Sequence, residues 1–246
     1  MESHNQTSSS FEGTLDSTVH AGTINLHDPS SRKWTERAKT LQVHPRCARN
    51  SSTSFTQYDF GLVIVENPFV LSPFRISIIT LPDFGRIDIT NMLHGNPVPC
   101  VTMGWISDEQ VHRARITNLE KFDVTIQTHE WCRRSILNHT MVEGGPFVYD
   151  RTLQICAKGR NDNQEVCEMD SGGPLLCGEG PNKEFIALIT DVTEERHCGK
   201  GIPLVYARMD LVDKWILGAM KLSNTYIHTS NAYVTTVLVA ILTFGC

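Results

Sequence analysis

The run Cys167-Glu168-Met169-Asp170-Ser171-Gly172-Gly173-Pro174-Leu175-Leu176-Cys177 holds the residues best suited to do chemistry. A serine hydroxyl is a poor nucleophile until a neighbouring base takes its proton. Negative charge then develops on the oxygen under attack, and backbone N–H groups beside the serine must receive it. Glycines at 172 and 173 let the chain turn tightly straight after Ser171.

The cysteines carry the second signal. There are eight, six of them between Cys100 and Cys198. No Cys-x-x-Cys pair is present, so a zinc ribbon is not expected and no metal or cofactor is assigned. A disulfide framework formed in an oxidising compartment fits better, with the order of the cysteines alone leaving its connectivity open. Three glycan-acceptor triplets, beginning at Asn5, Asn50 and Asn138, agree with secretion.

Short strands must position these groups. Phe60–Val65 is a brief β-branched run, as a buried strand requires. Arg75–Leu81 reads as a strand stopped by Pro82. Further strands are predicted over Arg115–Asn118, Phe122–Thr128, Phe185–Val192 and Leu204–Met209. Many short strands with frequent turn signals describe a barrel or a sandwich. One helix is expected over Met209–Leu222, where Leu211, Val212, Trp215, Ile216 and Ala219 recur at helical spacing after Asp210, the predicted N-cap.

The segment around Ser171 resembles the nucleophile loop of the trypsin/chymotrypsin family of serine peptidases, with its Asp-Ser-Gly-Gly-Pro core. The likeness extends from about Val19 to about Lys221. Tyr58-Asp59-Phe60-Gly61-Leu62-Val63 resembles the segment that carries the triad aspartate, which falls on Asp59. Cys100-Val101-Thr102-Met103-Gly104-Trp105, Ile155-Cys156-Ala157, Pro203-Leu204-Val205-Tyr206 and Asp213-Lys214-Trp215-Ile216 resemble further family segments. The resemblance implies an all-β fold, an antiparallel double β-barrel with a C-terminal helix, its first barrel incomplete. It implies the bridges Cys100–Cys177, Cys132–Cys156 and Cys167–Cys198, with no evident mate for Cys47. It implies Ser171 as nucleophile, Asp59 as orienter of the base, the N–H groups of Met169 and Ser171 as oxyanion hole, and Asp170 as partner of the activating amine.

The chain also departs from the pattern. No Ala-Ala-His-Cys segment precedes Asp59, and no Ile-Val-Gly-Gly activation segment is present. His20 reads as an exposed strand histidine, and His44 precedes Pro45 in a segment resembling the family's His-Pro strand end. Met169 replaces the glycine whose N–H enters the oxyanion hole. Val192 and Leu204 replace glycines of the pocket wall, and Glu165 takes the place of trypsin's selecting aspartate. Thr190-Asp191-Val192 replaces Ser-Trp-Gly. The expectation is therefore a serine endopeptidase by family that is inactive as this chain; the alternative is a non-catalytic homologue that binds or regulates.

In domain terms, 1–18 is expected to be a polar loop remnant and 19–222 the peptidase-like domain, its first barrel partial to about residue 105 and its second barrel after it. Residues 223–246 form a polar spacer and a short hydrophobic tail. The tail's apolar run, Ala232–Phe244, after the polar stretch Ser223–Asn231, has the order of a lipid-anchor attachment signal. An extracellular or cell-surface location follows, although Met1–Ser17 is too polar for a signal peptide. A formal net charge of −5 without a basic stripe argues against nucleic acid; the family resemblance implies a peptide or protein as substrate or partner.

Overall fold

A computed structural model describes residues 10–11, 17–25, 28, 34–50, 55–79, 81–84, 89, 92, 98–105, 118–143, 148–159, 171–178, 183–190, 203–222 and 240–242. Two sheets dominate. The first holds β1 (Ser10–Phe11), β2 (Thr18–His20), β3 (Thr35–Val43), β6 (Gly61–Val65) and β13 (Ala240–Leu242). Its path is β1-β3-β6-β13, with β2 also paired to β3, and it does not close among the described residues. A small hairpin, β4 (Ala48–Asn50) with β5 (Phe55–Gln57), stands beside it.

The second sheet closes. β7 (Pro99–Gly104), β8 (Glu120–Ile126), β9 (Gln154–Gly159), β10 (Pro174–Cys177), β11 (Glu184–Ile189) and β12 (Leu204–Arg208) form a six-stranded antiparallel barrel. Ile126, Ile155, Leu175, Ile186, Ile189 and Tyr206 fill its interior. Cys100 and Cys177 lie directly opposite each other in the β7–β10 ladder, and a disulfide joins them. A second joins Cys132 to Cys156. The pair Cys167–Cys198 lies outside the described residues. Cys47 is disulfide-bonded as well, which corrects the expectation that it has no mate.

A shared core locks the two sheets together. Phe60 and Leu62 from the first sheet meet Phe185, Leu188 and Ala207 on the outer face of the barrel, and Val212, Ile216 and Ala219 close over them. The last three belong to, or directly precede, α2 (Asp213–Leu222). β11 therefore serves two cores: Ile186, Ala187 and Ile189 pack in the barrel interior and Phe185 and Leu188 in the core between the sheets, a β-bulge against β10 between Phe185 and Ala187 breaking the simple alternation.

Several expectations are corrected. Arg75–Leu81 is not a strand: Ser72 and Ile76 exchange two backbone hydrogen bonds of 2.9 Å, closing a tight turn, and Ile78 and Ile79 are exposed. The turn uses up locally the donors that a strand would give to a neighbour. The C-terminal helix starts later than predicted. Met209–Leu211 is a 3₁₀ turn, and Asp210 does not cap the helix; it is gripped by Arg208 through Nε–Oδ1 (3.0 Å) and Nη2–Oδ2 (2.7 Å). The helix α1 (His129–Glu143) was not predicted. Only Cys132 and Ile136 of it are buried among the described side chains, so it lacks a broad apolar stripe. Its start was legible: Thr128 Oγ1 accepts the Trp131 N–H (3.3 Å) as an N-cap.

Both ends of the chain hold strands where none was expected. Ser10 and Phe11 of the supposed loop remnant pair with Gln42 and Leu41 of β3. The tail residues Ala240–Leu242 pair with β6. β7 lies inside the closed barrel, so the second barrel begins at Pro99 rather than after about residue 105. No helix among the described residues is long and apolar enough to cross a membrane.

Candidate active site

Ser171 sits in the turn that enters β10, and its side chain faces solvent. The turn is tied to the end of β11 by two hydrogen bonds: Gly172 N–H to Ile189 O (2.9 Å) and Ile189 N–H to Gly173 O (2.8 Å). Gly172 has φ +88°, a left-handed conformation that side chains rarely adopt, so the glycine is required there.

Asp59 approaches the same place from the first sheet. It directly precedes Phe60 and β6 and is 3% exposed. Packing of Phe60 and Leu62 against Phe185 and Leu188 sets the start of β6 beside the end of β11. There the buried Thr190 donates from Oγ1 to Asp59 Oδ2 (3.1 Å). Thr190 is itself held by its N–H to Val205 O (3.1 Å). The residue before Asp59, Tyr58, has φ +48°, an uncommon conformation for a bulky side chain. A turn bond from Phe60 N–H to Tyr58 O (2.8 Å) holds it. A small cavity, about 10 Å³, borders Asp59, Thr190, Gln154 and Thr56.

Ser171 and Asp59 thus converge on the end of β11, one through Gly172 to Ile189, the other through Thr190. In the sequence, Thr190 stands out only as part of a segment that departs from the family pattern. The usable signal was chemical: replacing serine by threonine keeps a hydroxyl, and a hydroxyl is what Asp59 receives.

Three histidines have side chains that the structure describes, and each of these rings has its own surroundings. His20 is exposed on β2 and pairs opposite Thr35, with Nδ1 2.9 Å from Thr35 Oγ1. Asp59 lies near the other end of β3, where Val43 faces Gly61. The eight-residue strand path between Thr35 and Val43 is about 26 Å long. His129 Nδ1 lies 2.6 Å from the hydroxyl of Tyr149, whose pKa burial pushes well above the ordinary tyrosine value. His44 is buried, stacks on Tyr58 at 5.0 Å and meets the edge of Trp215 at 4.8 Å. Arg46 lies over the other ring of that stack, 4.0 Å from the Tyr58 centroid. His44 Nδ1 accepts the Arg46 N–H (3.2 Å), so the neutral ring carries its proton on Nε2. Burial, with a smaller contribution from Arg46, lowers its pKa to about 4.

Of the predicted pocket, only Leu204 is described. It is buried among the barrel's core side chains, including Ile155 and Tyr206, so it fills space that a glycine would leave open. Glu165, Met169, Asp170 and Val192 lie outside the described residues. Among the described residues no group of three His, Cys, Asp or Glu is placed to hold a metal ion.

Residues 13–216 match a protein-family model described as Trypsin. Transmembrane protease serine 9 of Rattus norvegicus is 27% identical over 219 residues, 87% of this chain; the chain spans 18% of that protein's length. Glucanase inhibitor protein 1 of Phytophthora infestans is 26% identical over 199 residues, covering 80% of this chain and 67% of that protein. A solved structure described as "Structure of GrC" superposes with a TM-score of 0.59 at 19% identity, covering 83% of this chain and 77% of the other; it bears on the fold alone.

Proposed function

The chain belongs to the trypsin family, and from that premise we propose that this 246-residue polypeptide binds a peptide or protein through the face around Ser171 without cleaving it. The carrying observation is the location of the imidazoles. Ser171 is exposed and Asp59 is held by Thr190, yet the three histidine side chains that the structure describes, His20, His129 and His44, are placed for other contacts: on β2, against Tyr149, and in the stack on Tyr58. A serine without a positioned base is a weak nucleophile. A relative named as a glucanase inhibitor supports a binding role for a protein of this family. The test is labelling with a fluorophosphonate serine probe, which is expected to leave the purified chain unmarked. Labelling that disappears in Ser171→Ala would overturn the proposal.

A second reading rests on the Asp59–Thr190 hydrogen bond, which a binding role does not need. In a polypeptide that brings a histidine to Asp59, the chain is a serine endopeptidase. Ser171 is then the nucleophile, Met169 and Ser171 supply the oxyanion N–H groups, and Asp170 meets the activating amine. Glu165, Val192 and Leu204 then shape the specificity pocket.

An extracellular site of action accompanies both readings, supported by the two bridges Cys100–Cys177 and Cys132–Cys156. The polar-then-apolar order of residues 223–246 favours lipid attachment at a cell surface. The pairing of Ala240–Leu242 with β6 favours a different use of the same residues.

A further inference from the structure

β6 is the strand that most needs neighbours on both sides. Gly61, Leu62, Val63 and Val65 are all buried, and Leu62 and Val65 pack in different clusters. Backbone N–H and C=O groups in such a strand cannot be left to water. β3 serves one edge: Val43 faces Gly61 and Leu41 faces Val63. The other edge is served by the chain's own C-terminal segment: Leu242 faces Gly61 and Ala240 faces Val63.

The cysteines add a second, independent observation. Cys47 is disulfide-bonded, and the other four described cysteines are already matched, Cys100 with Cys177 and Cys132 with Cys156. Its mate is therefore Cys167, Cys198 or Cys246. The register selects among them. β3 and β13 both run antiparallel to β6, so they leave the sheet at the same end, on either side of Gly61. Two strands flanking a third stand about 10 Å apart. Cys47 lies four residues beyond Val43 and Cys246 four residues beyond Leu242. The chain turns at once after β3, with His44 N–H to Phe60 O (2.8 Å) and Cys47 N–H to His44 O (2.8 Å), which keeps Cys47 by the Gly61 end of β6; four residues beyond Leu242 span up to about 13 Å, enough for Cys246 to reach the Cα separation of about 5–6 Å that a disulfide needs. Pairing Cys47 with Cys246 also leaves Cys167 for Cys198, as the family resemblance implies.

We propose that the C-terminal segment is a permanent strand of the first sheet, fixed to it by a Cys47–Cys246 disulfide, so that the folded protein keeps its hydrophobic tail. The strand serves as the partner that the buried edge of β6 requires. Forming the bridge removes one hydrogen from each of the two thiols, and a donor disulfide takes them up by exchange and is reduced to two thiols. The proposal is independent of whether Ser171 is catalytic. It assigns Ala240–Leu242 to the first sheet rather than to a lipid anchor.

The test is peptide mapping of the full chain, secreted from eukaryotic cells behind an added leader and digested without reduction. Cleavage after Arg46, Arg49 and Lys221 isolates Cys47-Ala48-Arg49 and the peptide Leu222–Cys246. The expected result is a single disulfide-linked species containing both, which separates on reduction. In Cys246→Ala, hydrogen exchange over Gly61–Val65 is expected to quicken at least tenfold. Linkage of Cys47 to Cys167 or Cys198 would overturn the bridge. Loss of residues 240–246 from the mature chain, with release from cells by a phosphatidylinositol-specific phospholipase, would overturn the whole proposal.

Discussion

Acidification should loosen the fold through one side chain, His44. The folded protein holds this ring neutral, with a pKa lowered from 6.5 to about 4, chiefly by burial and secondly by Arg46. Protonation would place a proton on Nδ1, the atom that accepts the Arg46 N–H. Between pH 6.5 and about 4 the unfolded chain binds a proton that the folded chain refuses. Stability from this group is therefore complete above 6.5 and falls as the pH drops, with no further loss below about 4. The full loss is on the order of 2–3 kcal/mol, since each pKa unit is worth about 1.4 kcal/mol and the exposed Arg46 charge is screened by solvent. The assay is urea unfolding at a series of pH values for the native chain and for His44→Phe. Phenylalanine keeps a flat ring against Tyr58 and Trp215 but cannot titrate. Subtracting the two curves removes the carboxylates common to both. A difference that shrinks by about 2–3 kcal/mol between pH 7 and 4 is expected. Parallel curves would refute the argument and would mean that the stack opens without cost when the ring is charged.

Thr190→Val removes the hydroxyl that Asp59 accepts and should cost about 1.5–3 kcal/mol, the range for a hydrogen bond to a charged group. A double-mutant cycle with Asp59→Asn measures the coupling, and a coupling below about 0.5 kcal/mol would show that the two side chains act separately. Two glycines should respond in opposite directions to alanine. Gly22 has φ +65° and an added Cβ would stand 2.8 Å from Ile76 Cγ1, so Gly22→Ala should destabilise by about 1–2 kcal/mol. Gly218 lies within α2 with nothing near its absent Cβ, so Gly218→Ala should stabilise by about 1 kcal/mol. Denaturant midpoints report both.

The parts legible in the sequence were those written in contiguous residues. Gly61–Val65, Glu184–Ile189 and Leu204–Arg208 are strands because their apolar runs are short and bounded, and Glu120–Ile126 is one because Phe122, Val124 and Ile126 alternate with polar residues. Ser171-Gly172 is a turn, and the glycine at 172 supplies the positive φ that the turn requires. The failures share one cause, competition from partners the local sequence does not name. Arg75–Leu81 has a β-branched pattern but spends its hydrogen bonds within the turn at Ser72–Ile76. Asp210 has the chemistry of an N-cap, but Arg208 two residues earlier takes both of its oxygens. Ala240–Leu242 looked like a tail because nothing nearby in sequence announces the open edge of β6, some 180 residues away.

The site shows the same division more sharply. Ser171 could be found from its own neighbours, because a tight glycine turn is a local device. Asp59 and Thr190 could not be joined that way: they are 131 residues apart, and only the common core of Phe60, Leu62, Phe185 and Leu188 brings β6 against β11. The Asp59–Thr190 bond is thus a product of inter-sheet packing, and its geometry should be sensitive to changes in that core. The placement of Ser171 depends instead on the two backbone bonds between its turn and Ile189. Both dependences meet at Ile189-Thr190, where one residue anchors the serine turn and the next holds the carboxylate. A fold that fixes both from adjacent residues of one strand end can keep serine and aspartate in register without a histidine between them. Retention of that register is therefore weak evidence for turnover, and the position of an imidazole is the observation that separates a protease from a binding protein of the same fold.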